Sequence, residues 1–180
     1  MTLPEEGARA PKFCLGSDGG TDVSLDDFGG KWLIVYFYPR DSTPGCTLEA
    51  QDFSRVSAQL LKRGAAVVGI SRDSVKSHCT FRDKVKIAFP LLSDPELTTH
   101  RAYGAWGMKN MYGKKVEGTI RSTFLISPEG RVARTWTGVK VNGHVAEVMD
   151  ALAEAQGGGK KGRGGSGGAT RPRKKNAVGP

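Results

Sequence analysis

Cysteine is scarce in this sequence, with three in 180 residues, and no two of them form a Cys-x-x-Cys pair. That scarcity excludes a disulfide-stapled scaffold and a cysteine-based zinc module. Long apolar runs are missing too. None approaches the roughly 20 residues that cross a bilayer, so no membrane association is expected. The opening stretch, Met1 to Gly7, lacks the basic and then apolar segments of a secretory leader. A reducing, cytoplasmic compartment is therefore expected, in which a cysteine is kept for packing or for chemistry. The histidines, His78, His100 and His144, follow no metal-ligand spacing, and no phosphate-cradling glycine loop joins a strand to a helix. Neither a metal nor a bound cofactor is expected.

One further absence is local. Residues 157–180 contain no acid, yet they hold seven of the 27 Lys and Arg residues and nine of the 25 glycines. The formal charge of +9 therefore belongs largely to that stretch, because residues 1–156 have 20 basic residues against 18 acidic ones. Two regions follow: a near-neutral folded domain over 1–156, and a basic, glycine-rich tail over 157–180 expected to be disordered. The tail suits weak, non-specific contact with nucleic-acid phosphates, although it lacks the aromatics that stack on bases. A merely solvated tail is the alternative. Charged residues at 25% and hydrophobic ones at 38% fit a soluble globular domain.

What is present is a clear alternation of elements. Trp32-Leu-Ile-Val-Tyr-Phe-Tyr38 is a continuous apolar run closed by Pro39, which predicts a strand buried on both faces. Leu48, Phe53, Val56 and Leu60 recur at helical spacing and end at Gly64. Ala66–Ser71 reads as a second buried strand, a helix is predicted over about 75–86, and Phe89–Leu92 as a short extended piece. Ser122–Ser127 and Arg131–Thr137 flank Pro128-Glu-Gly130, a hairpin signal. A last helix begins near Asn142 with Val145, Val148, Met149 and Leu152 on one face. The order β-α-β-α-β-β-α predicts an α/β fold, a mixed central sheet with helices on both faces. Trp32, Trp106 and Trp136 are expected in or near the core, and Cys14, inside an apolar stretch, as a packed free thiol.

The segment Pro39-Arg-Asp-Ser-Thr43-Pro44-Gly45-Cys46 sits between the first strand and the helix after it. Thr43 suits the N-cap and Pro44 the first helical position. Cys46 then falls in the first turn, where unpaired backbone N–H groups and the helix dipole favour an anion. That location favours a thiolate, the form a nucleophilic cysteine requires. A buried cysteine that merely follows a capped turn is the alternative.

Here the sequence resembles a family. Thr43-Pro-Gly-Cys46-Thr, preceded by Tyr36-Phe-Tyr-Pro39, is similar to the Pro-x-x-x-Thr-x-x-Cys signature of peroxiredoxins, in the bacterioferritin comigratory protein (PrxQ-like) branch. Collinear similarity continues through Gly69-Ile-Ser-Arg-Asp-Ser74, Phe89-Pro-Leu-Leu-Ser-Asp94, Ala102-Tyr-Gly-Ala-Trp-Gly107, Met111-Tyr-Gly-Lys-Lys115 and Arg121–Gly130. The resemblance implies a thioredoxin-like fold with an N-terminal extension, and a thiol-dependent peroxidase. It further implies a hydroperoxide substrate, and thioredoxin or a similar dithiol protein as reductant. By the same resemblance Cys46 is the peroxidatic cysteine, attacking the O–O bond and becoming a sulfenic acid. Thr43 and Arg121 orient the peroxide, the N–H groups of Gly45 and Cys46 bind it, and Pro39 shields the thiolate. Glu49, one turn beyond Cys46, would anchor Arg121. Each position has a plainer reading: Thr43 a helix cap, Arg121 a surface cation, Glu49 a favourable charge at a helix start.

The sequence departs from the branch at one point. Many members carry a resolving cysteine five positions after the peroxidatic one, where this chain has Gln51. Others carry it in the next helix, where this chain has Cys79. At 100° per residue Cys79 flanks the apolar face set by Phe81 and Val85, so it is expected to be accessible. Alternatively Cys79 is a packed edge residue, and the protein is a one-cysteine peroxidase served by an external thiol. The adjacent His78 is expected to be exposed and without a role. A monomer is expected, with a dimer as the alternative. A nucleic-acid-associated protective protein acting through its tail is the remaining reading.

Overall fold

A computed structural model describes residues 2–157. The expected disorder of the basic tail concerns residues that, Gly157 apart, lie outside those described. The chain forms β1 (Cys14–Gly16), β2 (Asp22–Ser24), a 3-10 turn (Leu25–Phe28), β3 (Trp32–Phe37), α1 (Pro44–Lys62), β4 (Ala65–Ser71) and α2 (Val75–Val85). These are followed by β5 (Leu91–Ser93), α3 (Thr98–Ala102), β6 (Trp106–Met111), β7 (Lys114–Thr119), β8 (Ser122–Ile126), β9 (Val132–Thr137) and α4 (His144–Gln156). The main sheet has the order β5-β4-β3-β8-β9. β3 runs parallel to β4 and antiparallel to β8, so its backbone is paired on both edges. This central placement explains the unbroken apolar run, since both faces of β3 need covering.

Alternation along β3 separates two cores. Ile34, Tyr36 and Tyr38 face a layer made by Ala50, Phe53 and Leu60 of α1, Phe81 of α2, and Val148 and Leu152 of α4. Leu33, Val35 and Phe37 face the other layer, with Phe13, Tyr103, Ala105 and Phe124. The expected two-sided cover is thus unequal. The three long helices share one face, while the N-terminal segment, the 3-10 turn and the residues after α3 cover the other.

Two antiparallel ribbons, β1–β2 and β6–β7, were not predicted. Both are short or polar, with weak alternation, so pairing and not intrinsic pattern makes them strands. The first ribbon corrects the expectation for Cys14. Phe13 is buried and Leu15 half-buried, so period-2 alternation points Cys14 outward, and it is exposed. Of the tryptophans, Trp106 is buried, and Trp32 and Trp136 are half-buried against the cores.

Register also fixes one glycine. Gly69 lies beside Tyr36 in the β3–β4 pairing, and a Cβ there would come within 2.9 Å of the Tyr36 phenol and 3.1 Å of Leu91 Cδ2. Gly69→Ala should overpack this layer and destabilise the fold by about 1–3 kcal/mol. Urea denaturation checks this, and an unshifted midpoint would contradict the close approach.

Candidate active site

The loop after β3 turns through Ser42, which has a positive φ of 60°, and delivers the chain to Thr43 in extended geometry. Pro44 opens α1 as the N-cap reading requires. The Thr43 side chain does not cap, however. Its hydroxyl donates back to the Arg40 carbonyl at 2.9 Å, closing the preceding turn instead. The first α-helical bond of this turn is Thr47 N–H to Thr43 O at 2.9 Å. The N–H groups of Gly45 and Cys46 precede it and have no intrahelical acceptor. They point toward the helix N-terminal end, where the dipole is positive.

Cys46 is buried at 1% exposure. Arg121, in the turn before β8, brings its guanidinium to it. Nη2 donates to Cys46 Sγ at 3.3 Å, and Nη1 donates to Glu49 Oε1 at 2.8 Å. The backbone of Arg121 is itself tied down, its carbonyl accepting from Val139 N–H at 3.0 Å. Gly45 lies beside the fork, and a Cβ there would come to ordinary contact with Nη2 at 3.4 Å. One planar cation therefore spans a buried sulfur and a buried carboxylate.

The electrostatics follow from burial. Glu49 is fully buried, and desolvation pushes its carboxyl up to about 7, against the lowering effect of Arg121. Its second oxygen, Oε2, has no partner, and neither has the buried Tyr36 hydroxyl. Burial, then the charges of Glu49 and Cys46, raises the Tyr36 phenol well above its ordinary range. His144, buried and 2.7 Å from Thr123 Oγ1, is pushed down to about 4 by burial and by Arg121, so it is neutral at pH 7. Burial also lowers the Lys109 ammonium, with Arg121 acting the same way and Cys46 opposing. Lys109 is a second cation near the sulfur that sequence reasoning missed. Its Nζ donates to the Thr119 carbonyl at 3.0 Å, a placement set by the β6–β7 pairing that no sequence pattern announced.

Pro39 is half-buried and lines a cleft of about 570 Å³ with Arg40, Arg72, Trp106, Lys109 and Glu117. Cys79, expected to be accessible, is half-buried at the edge of α2, and its Sγ lies 3.3 Å from the Asp18 carbonyl and not against Cys46. The three cysteines are free. The expectation for His78 is overturned. It is fully buried and bonded to Asp41, because at 100° per residue it falls on the same face as Phe81 and Val85.

Residues 7–135 match the model of the AhpC/TSA family. Peroxiredoxin Bcp of Xanthomonas campestris is 51% identical over 138 residues, 77% of this chain and 86% of that protein. Peroxiredoxin Bcp of Bacillus subtilis is 42% identical over 154 residues, 86% and 98% of the two chains. The chain belongs to the AhpC/TSA family, as a peroxiredoxin of the Bcp/PrxQ branch. This peroxiredoxin is similar in structure to Xanthomonas campestris Peroxiredoxin Q, with a TM-score of 0.76 at 49% identity, covering 80% of this chain and 91% of that one. It has the thioredoxin-like fold and is a thiol peroxidase. No helix among the described residues is long and apolar enough to cross a membrane.

The raised carboxyl of Glu49 gives the peroxiredoxin a pH signature. Between about pH 4.5 and 7 the native protein holds a proton at Glu49 that the unfolded chain has released. This residue therefore costs stability as pH rises through that interval. Relative to Glu49→Gln, the parent protein should lose stability between pH 5 and pH 8. Urea midpoints at the two values check this, and parallel pH profiles for the two proteins would contradict it.

Proposed function

We propose that this peroxiredoxin reduces hydrogen peroxide and organic hydroperoxides through Cys46. The thiolate attacks the nearer peroxide oxygen, the S–O bond forms as the O–O bond breaks, and Cys46 becomes a sulfenic acid. The departing oxygen leaves as hydroxide or alkoxide and takes a proton, giving water or an alcohol. The observation that carries this reading is the contact of Arg121 with both Cys46 Sγ and Glu49. A fixed cation beside the sulfur favours the thiolate and meets charge developing on the peroxide. The free N–H groups of Gly45 and Cys46 supply further donors, Thr43 presents a hydroxyl at the same turn, and Pro39 walls the pocket.

Cys79 is the proposed resolving cysteine. Its thiolate attacks the Cys46 sulfenic sulfur, the oxygen leaves as water after protonation, and a Cys46–Cys79 disulfide forms. Thioredoxin or a similar dithiol protein then exchanges with that disulfide and returns both thiols. Support comes from its half-buried place in α2 and from a comparison of spacing. Peroxiredoxin Q of Xanthomonas campestris has been solved with single cysteine-to-serine replacements at positions 36 residues apart. Here 33 residues separate Cys46 from Cys79, a difference close to one helical turn.

Cys46→Ser should abolish peroxide consumption. Arg121→Gln should lower the second-order rate with peroxide by about 10²–10³, the usual loss for one transition-state donor. Cys79→Ala should complete one turnover and then stall in a thioredoxin-coupled assay. Mass spectrometry of the peroxide-treated, alkylated protein decides between the resolving modes. A Cys46–Cys79 peptide is the expected product, and full steady-state turnover by Cys79→Ala would instead establish the one-cysteine mechanism.

A further inference from the structure

The two thiols of the proposed cycle are held apart, and a single buried ion pair lies between the segments that carry them. Asp41 is five residues before Cys46 in the loop after β3, and His78 immediately precedes Cys79 in α2. His78 Nδ1 is 2.7 Å from Asp41 Oδ2, and its Nε2 is 3.0 Å from the Leu92 carbonyl oxygen in β5. A carbonyl can only accept, and an ionised carboxylate can only accept. Tyr38 Oη also lies 3.4 Å from Nδ1, but it donates to Asp41, so with Asp41 ionised the two short ring contacts are those of a ring that donates from both nitrogens. His78 and Asp41 form a charged pair with essentially no exposure on the histidine side.

The surroundings are built to hold that pair. Asp41 also accepts from Tyr38 Oη at 2.7 Å and from Ser77 Oγ at 2.8 Å. Its backbone N–H donates to Asp73 Oδ2 at 2.8 Å, and Ser71 Oγ donates to the same oxygen at 2.7 Å. Burial pushes the Asp41 carboxyl up, but the bonds from His78, Tyr38 and Ser77 and the histidine charge outweigh it and hold it below its ordinary range. Among the described residues no lysine or arginine pairs with Asp41, so His78 is its only cationic partner. β3, the α1 approach, α2 and β5 meet at this point.

A disulfide needs its sulfurs at about 2.05 Å. Cys46 Sγ is instead engaged by Arg121, and Cys79 Sγ by the Asp18 carbonyl. The loop or the first turn of α2 must leave its place before the bond can form. We propose that Asp41 and His78 form a buried charged clasp whose opening admits Cys79 to Cys46, making both of them positioning residues for the resolving step. The proposal rests on the reading of Cys79 as the resolving cysteine. Partial loosening leaves a buried charge unpaired, so the clasp has two states, shut or fully parted. Shut, it keeps Cys46 aligned with Arg121 for peroxide; parted, it frees the sulfenic acid for exchange. Ser42, next to Asp41, sits at a positive φ of 60°, an uncommon conformation for a residue other than glycine.

The test begins on the unsubstituted protein. With ¹⁵N-labelled histidine at pH 7, NMR should find both His78 ring nitrogens protonated; a neutral tautomer overturns the clasp. Asp41→Asn and His78→Gln, each checked for native circular dichroism, should slow the reaction with peroxide. They should also speed the step from sulfenic acid to disulfide by about tenfold, the usual weight of one bond to a charged group. Less Cys46 should then reach sulfinic acid at a given peroxide concentration. The double variant should shift the two rates no further than either single one, and additive shifts or an unchanged ratio of the rates overturn the proposal. Repeating the sulfinic measurement in a Cys79→Ala background separates the two readings. If only the role of Cys79 is wrong, no Cys46–Cys79 disulfide forms in the parent, yet His78→Gln still protects Cys46. If the clasp is wrong, the disulfide forms and His78→Gln changes nothing.

Discussion

The site depends on the two-sided grip of Arg121. A buried glutamate resists ionisation away from water, and here it lies beside a buried cysteine. One guanidinium touches both, Sγ at 3.3 Å and Oε1 at 2.8 Å. The arginine has little freedom to do otherwise, because its backbone is anchored between β7 and β8 and its side chain is only 16% exposed. Everything around it accommodates this one cation. His144 stays neutral beside it, and Lys109 is held at reduced basicity.

Glu49 tunes that grip. Burial opposes its charge and raises its carboxyl to about 7, while Arg121 pulls the other way. A missing partner would leave the guanidinium unsupported along one edge. The orphan oxygen of Glu49 and the orphan hydroxyl of Tyr36 mark the cost of this arrangement, since buried polar atoms without partners are uncommon away from reactive centres.

Much of this was legible in the sequence, and the reasons are physical. β3 was readable because a central strand needs apolar side chains at every position, and α1 because its first-position proline and periodic residues agree, although Thr43 closes the preceding turn and does not cap. Cys46 was readable from that same turn, and Arg121, Thr43, Pro39 and Glu49 from the resemblance that the turn introduced. The ribbons were not readable, because Trp106–Thr119 alternates weakly and owes its form to pairing. Lys109 was hidden for the same reason, as it acts across a fold boundary. His78 was misjudged although its helical phase put it with Phe81. A polar residue on an apolar face signals a buried partner, and that partner, Asp41, lies 37 positions away in a loop with no periodicity.

The outward turn of Cys14 and the inward turn of Cys46 have a joint consequence for selectivity. The Cys14 thiol is open to solvent, while the sulfur that Arg121 contacts is almost completely covered. Modifying reagents in solution therefore reach the thiol on the edge ribbon without hindrance, whereas the sulfur held by Arg121 is reached only past the side chains that cover it.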